Sequence, residues 1–449
     1  MFPNPQDALP LPPRPNLDQY KKLAKDLLKA AQSSDPTAIR TWAATWIDSL
    51  VRLSNLTITP QLPVRIDRWT DELENFARQE LPQTTWGRTH SSVPPSEARQ
   101  SETATLATAQ FVIARAQGFE SWPKFAKHLD AEARANSPVA DFERAADAIV
   151  SGGIATLEKL LCDHPDLIRA TSTRRHQATL LHYVAANGVE GYRQKTPQNI
   201  VPITALLLNA GADVNAIADV YGGCTTLTLA ATSVHPERAG VQIALLQLLL
   251  DHGATTDTAN PPAGPLINVC LANGRAQAAE FFADRGARLD LEGAAGLGRL
   301  DVVKSYFDDD GTMRLPTTND QIERGFLLAC EYGRNNVVEF LLQRGVSPQA
   351  QANTGQTALH SAVIGGQVDT IALLLAHGAQ LEAKNCYDGT ALGQALWSAI
   401  HGDSSIDYVP VIELLLKSGA KIEEGTTTWL AQQKMDSQLK QRLAKLLSR

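Results

Sequence analysis

The chain has 449 residues, 43% of them hydrophobic and 20% charged, with a formal net charge of −7. That composition supplies a large core and excludes global disorder, and no run approaches the roughly 18 uncharged apolar residues that a membrane-spanning helix needs. The acidic balance disfavours a broad nucleic-acid-binding surface. It is also uneven: residues 1–138 carry 16 Lys and Arg against 15 Asp and Glu, which leaves 25 against 33 for the rest and places any preference for basic partners there.

Residues 1–15 hold six prolines, so a flexible Pro-rich tail is predicted over 1–16; with Asp7 and no basic stretch leading into an apolar one, it is not expected to act as a signal peptide. Over 17–33, Leu17, Tyr20, Leu23, Ala24, Leu27 and Leu28 fall on one face of a predicted amphipathic helix. A second helix is predicted over 35–53, with Asp35 as N-cap and Pro36 at the first helical position. A loop (54–65), a helix (66–81), a linker (82–98) and helices over 101–119 and 120–135 complete a helical domain over 17–138. Trp42, Trp46, Trp69, Trp86 and Trp122 concentrate here. They suit either the core of a small domain or an aromatic ligand surface; the i, i+4 spacing of Trp42 and Trp46 favours the core.

Beyond residue 138 one phrase recurs, three apolar residues and then a glycine, at Gly211, Gly253, Gly286, Gly345, Gly378 and Gly419. The separations are 42, 33, 59, 33 and 41, a step of 33 with insertions and one degenerate repeat ending near Gly311. Residues 354–385 show the repeat best. Ala358, Leu359 and Ala362 fit one side of a short helix, Gly365-Gly366 break it, and Val368, Ile371, Leu374 and Leu375 follow helical spacing before Gly378 stops the second helix. Each repeat is therefore a turn followed by two antiparallel helices, whose apolar faces are buried only against the next repeat. The first repeat (139–175) and residues 426–449, predicted as a C-terminal capping helix, read as solvated ends.

The period, the Thr357-Ala358-Leu359-His360 motif, its counterpart Thr179-Leu180-Leu181-His182 and the Gly211 to Ala216 stretch resemble the ankyrin-repeat family over roughly residues 139–425, about eight repeats. The resemblance implies an all-α ankyrin solenoid with β-turn fingers, in which the Thr hydroxyl and His imidazole make local and inter-repeat hydrogen bonds. Thr228, Asn268, Leu327 and Gly393 stand where His would be, and residues 291–318 keep a shortened first helix, so the middle of the array is expected to be less uniform. The segments Gln110 to Pro123 and Gly188 to Pro197 are similar to stretches of bacterial ankyrin proteins.

Function on such a scaffold lies where it departs from the repeat. Thr179 to Leu208, Thr225 to Leu250 and Thr390 to Leu416 exceed the 18-residue spacing of Thr357 to Leu375 by 11, 7 and 8 residues, and all three insertions fall between the two helices of a repeat, along one edge. The first (187–199) brings Tyr192, Arg193 and Lys195, expected to be exposed; the second (232–240) brings His235 and Arg238; Tyr221 sits in the turn between them. These residues, with Trp397 of the third insertion (397–410), are the candidate partner contacts. The competing reading is that the insertions fold onto each other and widen the stack. His401 and Asp403 lie near serines but lack a nucleophile elbow, so no catalytic residue is assigned.

Asp308-Asp309-Asp310-Gly311 lacks the later ligands of a calcium loop, and Cys162 with His164 has no partner pair, so no metal is expected. The five cysteines, no two closer than 46 residues, read as reduced and buried. The expectation is a monomeric cytoplasmic interaction scaffold that presents an acidic concave ankyrin surface and an edge of inserted loops to protein partners, with no catalysis of its own, no cofactor, and no nucleic-acid or membrane partner. The alternatives are an enzyme with a pocket in or beside the N-terminal domain, and an effector acting in another cell.

Overall fold

The structure is a computed structural model that describes residues 4–12, 15–53, 62–81, 104–134, 137–256, 264–308, 312–314, 317–403, 405–433 and 435–448. The fold is mainly helical, as expected, and forms two compact units, Met1–Pro262 and Ala263–Arg449.

In the first unit, helices Leu17–Gln32, Ala38–Leu53, Leu62–Glu80, Leu106–Ala116 and Trp122–Glu132 enclose an aromatic core. Asn16 and Thr105 cap two of them by accepting backbone N–H bonds from Asp18 and Thr108. Asp35 Oδ1 accepts from the backbone N–H and the hydroxyl of Thr37, the bond expected of it as N-cap, and the regular helix begins at Ala38, two residues after Pro36. Trp42, Trp46 and Trp69 are buried; Tyr20 packs edge-on to Phe125 at 4.9 Å, and the Trp42 indole N–H donates to Leu23 O at 3.2 Å. For these three, core building is the outcome; Trp86 and most of the predicted loop and linker lie outside the described residues.

The Pro-rich start departs from expectation. Residues Pro5–Asp7 form a 3-10 turn, Ala8 and Leu9 are buried, and Leu9 N–H donates to Ala116 O at 2.8 Å. Pro5 starts the turn, Ala8 leaves it in an extended conformation, and Ala8 and Leu9 reach the core, so this stretch is a packed strap.

Repeats follow in the same unit. Pro138–Ser151 starts on the Ser137 side-chain cap and ends at Gly152, antiparallel to Ile154–Asp163. The next pair is the 3-10 segment Leu180–Ala185 with Ile200–Asn209, then Thr226–Thr232 with Gln242–Asp251. Ile217–Ala218 and Cys224–Thr225 pair as a two-residue antiparallel finger.

In the second unit the first helices Leu291–Leu297, Asn319–Glu331, Ala358–Ile364 and Ala391–His401 stack in a row, and Asn335–Gln343, Val368–Ala376 and Val409–Lys417 stack behind them. Leu291, Phe326, Leu359, Ile371, Leu392 and Ile412 are buried between neighbours; each contributes about 1.5–3 kcal/mol of transfer free energy available only from stacking. The degenerate repeat packs closely on its neighbour: a Cβ on Gly296 would sit 2.7 Å from Leu271 Cδ1. Gly378 (φ 84°) closes its helix as predicted, with Ala379 N–H returning to Leu374 O at 3.0 Å. The C-terminal stretch is two helices rather than one, Thr426–Gln432 and Ser437–Leu447, because Asp436 caps a new start by accepting from Gln438 and Leu439 N–H. Cys270 and Cys330 are buried as expected, whereas Cys162 and Cys386 are exposed.

The Thr–His motif works as the resemblance implied. His182 Nδ1 accepts from Thr179 N at 3.1 Å and meets its hydroxyl at 2.8 Å, which leaves Nε2–H to donate to Ala216 O at 3.1 Å in the following finger. His360 repeats this with Thr357 and Gly389 O.

Candidate functional site

The first insertion does not project into solvent. Its single 3-10 turn, Gly191–Arg193, directs Arg193 inward. Arg193 is 4% exposed. It donates from Nε to Asp147 Oδ1 and from Nη1 to Glu143 Oε2, both at 2.7 Å, with Glu190 Oε1 at 3.5 Å. Arg174, also buried, holds Glu143 Oε1 at 2.6 Å and Glu190 Oε1 at 2.9 Å. Tyr192 is half-buried, its ring 5.5 Å from the Arg193 guanidinium and its hydroxyl 3.4 Å from Arg174 Nη2. The expected exposure is therefore corrected for Arg193 and in part for Tyr192. Two buried guanidiniums and two buried carboxylates pair with one another, so each charge is compensated inside the fold, although Glu190 Oε2 has no hydrogen-bond partner of its own among the described residues. Lys195 is exposed as expected.

This cluster is not built for proton transfer. Burial alone would raise the Glu143 and Glu190 carboxyls, but the Arg174 and Arg193 guanidiniums overcome it and hold both well below the usual carboxylate range. Burial pushes the Tyr192 phenol up. These carboxylates stay ionised and this phenol stays protonated at neutral pH, which suits a latch rather than a general acid or base.

The second insertion folds as a short helix, Val234–Arg238, behind the Ser233 cap. Ser233 Oγ donates to Ala186 O, and Gln198 Nε2 donates to Ala239 O, each at 3.3 Å. The two insertions thus fold onto each other. His235 is half-buried, and burial, then Arg238 and Arg65, lower its pKa; Arg238 is exposed. Tyr221 is 54% exposed at φ 50°, its hydroxyl 3.2 Å from Gln6 Oε1 and 3.4 Å from Asn187 Oδ1.

The strap is locked here by a glycine. A Cβ on Gly191 would overlap the Gln6 carbonyl oxygen. Gly191→Ala should therefore lift residues 4–9, seen as faster amide exchange at Leu9 with the helices of the first unit unaffected. Unchanged exchange at Leu9 would show that the close approach is not needed.

A different surface carries exposed aromatics. Residues 385–389 form the finger ahead of Ala391–His401, tied down by Asn385, whose Oδ1 accepts from Tyr387 N at 3.0 Å and Gly389 N at 3.1 Å. Cys386 N–H donates to Thr354 O, and Asp388 adopts φ 61° at the tip. The fixed finger holds Tyr387 79% exposed. Beside it Trp397 is 51% exposed, with one face against His401 at 5.1 Å. Trp397 was expected in an inserted loop; the helix runs on to His401 and presents it from a rigid element. Both aromatics line a groove of about 980 Å³ with Gly393, Trp429 and the carboxylates of Asp388, Asp403, Glu423 and Glu424. Gly393 stands where two other repeats carry the finger-spanning His, so no imidazole fills this space.

The structure thus separates the seven candidate contacts: Tyr192 and Arg193 join the latch, His235 is half-buried in the second insertion, Lys195, Tyr221 and Arg238 are exposed, and Trp397 lies in the groove. Tyr387 and Glu424 were missed, although Tyr387-Asp388-Gly389 has the same turn character as Tyr221-Gly222-Gly223. Among the described residues no three His, Cys, Asp or Glu side chains gather as a metal site requires, and residues 309–311 of the aspartate run, like the expected end of the degenerate repeat at Gly311, lie outside those described. No helix among the described residues is long and apolar enough to cross a membrane.

The family description "Ankyrin repeats (3 copies)" matches residues 326–426. The Caenorhabditis elegans "Ankyrin repeat and KH domain-containing protein mask-1" is 28% identical over 240 residues, a match that takes in 51% of this chain and 8% of the worm protein, so the chain spans a small part of that relative. Two solved structures are similar at 21% identity. The ankyrin repeat domain of Bcl-3 aligns over 61% of this chain and 97% of its own, with a TM-score of 0.29. The human ASB11 ankyrin repeat domain aligns over 62% and 99%, with a TM-score of 0.33. Residues 326–426 thus match ankyrin repeats; Trp397 and most of the groove's lining lie within that stretch, and Trp429 lies beyond it.

Proposed function

We propose that this chain is a cytoplasmic protein-interaction scaffold with no chemistry of its own, and that the groove of the second unit is its main docking surface. Ankyrin repeats are protein-interaction modules, and the observation that carries the reading is the pair Tyr387 and Trp397, large aromatic side chains held exposed on fixed elements of one acidic groove. Aromatics presented this way give binding energy at little ordering cost. The outward residues of the insertion edge, Lys195, Tyr221 and Arg238, form a secondary contact region in this reading; the buried Arg193 does not.

The test compares proteins captured from native cells by the full chain and by Tyr387→Ala and Trp397→Ala variants. Each substitution should reduce capture of the specific partner about tenfold or more, the scale of an interface hot spot, with the melting profile unchanged. Identical capture by the double variant would remove the groove from the mechanism.

A further inference from the structure

Resting on that reading of the groove, we propose that its occupant is an extended segment of a partner protein that sets an arginine or lysine between Trp397 and Glu424. Charge complementarity carries the argument. The groove presents four carboxylates, Asp388, Asp403, Glu423 and Glu424, against the ammonium of Lys421 in its lining and that of Lys384 beside it. Asp388 and Glu423 share Lys384 at 3.0 and 3.3 Å, and Asp403 accepts from Ser405 N–H at 2.9 Å. Glu424 is exposed and makes no ion pair among the described residues.

Trp397 adds the second attraction. His401 packs against its ring at a tilt, 5.1 Å between centroids, and about half of the residue is open, so an electron-rich ring stands in the same groove as the available carboxylate. A cation gains from both groups at once. A guanidinium suits them best, because its flat face stacks on an indole while its fork meets a carboxylate. Gln356 and Gln394 line the same groove and offer amide donors and acceptors of the kind a peptide backbone matches. An acidic or phosphorylated segment would bring like charge against a groove whose carboxylates outnumber its two ammoniums and be rejected.

The probe is a phage-displayed random dodecapeptide library panned on the immobilised full chain. Enriched peptides are then synthesised with a fluorescein label and titrated by anisotropy. The proposal expects an Arg or Lys in common, affinity weakened about tenfold by Trp397→Ala and about fivefold by Glu424→Gln, and weaker binding as salt rises from about 50 to about 300 mM. Melting temperatures of both variants should match the parent. Trp397-dependent peptides without a basic residue would overturn the basic partner and leave the docking surface standing. Failure to enrich any peptide that depends on Trp397 or Tyr387 would overturn both. Self-association of the full chain that Trp397→Ala abolishes would assign the groove to a second copy and also overturn the proposal.

Discussion

Arg193→Ala should destabilise the first unit by about 3–5 kcal/mol, the scale for breaking one member of a buried ion-pair network. Arg193 contacts Asp147, Glu143 and Glu190, and its guanidinium lies 5.8 Å from the Tyr183 ring centroid. Without it, the two buried carboxylates keep Arg174 as their one guanidinium, with His176 Nε2 3.5 Å from Glu190, and Glu143 Oε2 loses its 2.7 Å partner. The cost is uncompensated charge more than lost packing, so Arg193→Met should be nearly as harmful as Arg193→Ala. Adding Glu143→Gln to Arg193→Met should recover part of the loss, because the orphaned charge goes with its partner. Urea unfolding followed by amide exchange over residues 141–200 reads this unit apart from the second. A loss below about 1 kcal/mol would mean that water replaces the guanidinium and that the latch is ornamental. The same variants should leave the proposed groove working, since it lies wholly in the second unit.

What was legible in the sequence follows from what is local. Gly378, the Thr357 and His360 pair and the 3.6-residue spacing of Val368, Ile371 and Leu375 each act within a few residues, so they fixed the repeat and its hydrogen bonds. The 3-10 character of Leu180–Ala185 was not visible, because the same apolar spacing serves an α-helix. The latch was illegible for a different reason. Arg174 pairs with a residue 31 positions earlier and Arg193 with one 50 positions earlier, and neither separation belongs to the repeat period. A charged residue in an insertion reads as solvated unless its distant partner is known. The strap was misread because proline content signals extension but says nothing of whether Ala8 and Leu9 find a core. Trp397 was legible as a large aromatic in an insertion, but its presentation on a helix end depends on the capped start at Thr390, and Tyr387 passed unnoticed because a single turn tyrosine has no period.

Acidification should destabilise the first unit in two separate steps, the earlier of which belongs to His182. Burial lowers the His182 pKa to about 4, against 6.5 in the unfolded chain, although its bonds to backbone carbonyls pull the other way. The folded state therefore holds neutral imidazole while the unfolded state takes up the proton. The stability this provides is complete above pH 6.5 and is lost as pH falls towards about 4, up to a ceiling of about 3 kcal/mol at 1.36 kcal/mol per pH unit. Glu143 and Glu190 act in a lower window: their carboxyls are held below the unfolded value of 4.5, so the latch keeps its contribution until pH drops beneath that value. His235 is lowered as well, but it is partly exposed and screened, so its share of the first step is small. His182→Gln should lower stability at pH 7 by about 1–3 kcal/mol, the cost of disturbing a buried hydrogen-bonded group, and flatten the slope between pH 6.5 and 4.5. It should leave the fall below pH 4.5 in place. If the variant keeps the full slope in the upper window, the imidazole bridging Thr179 to the Ala216 finger is not the group that titrates.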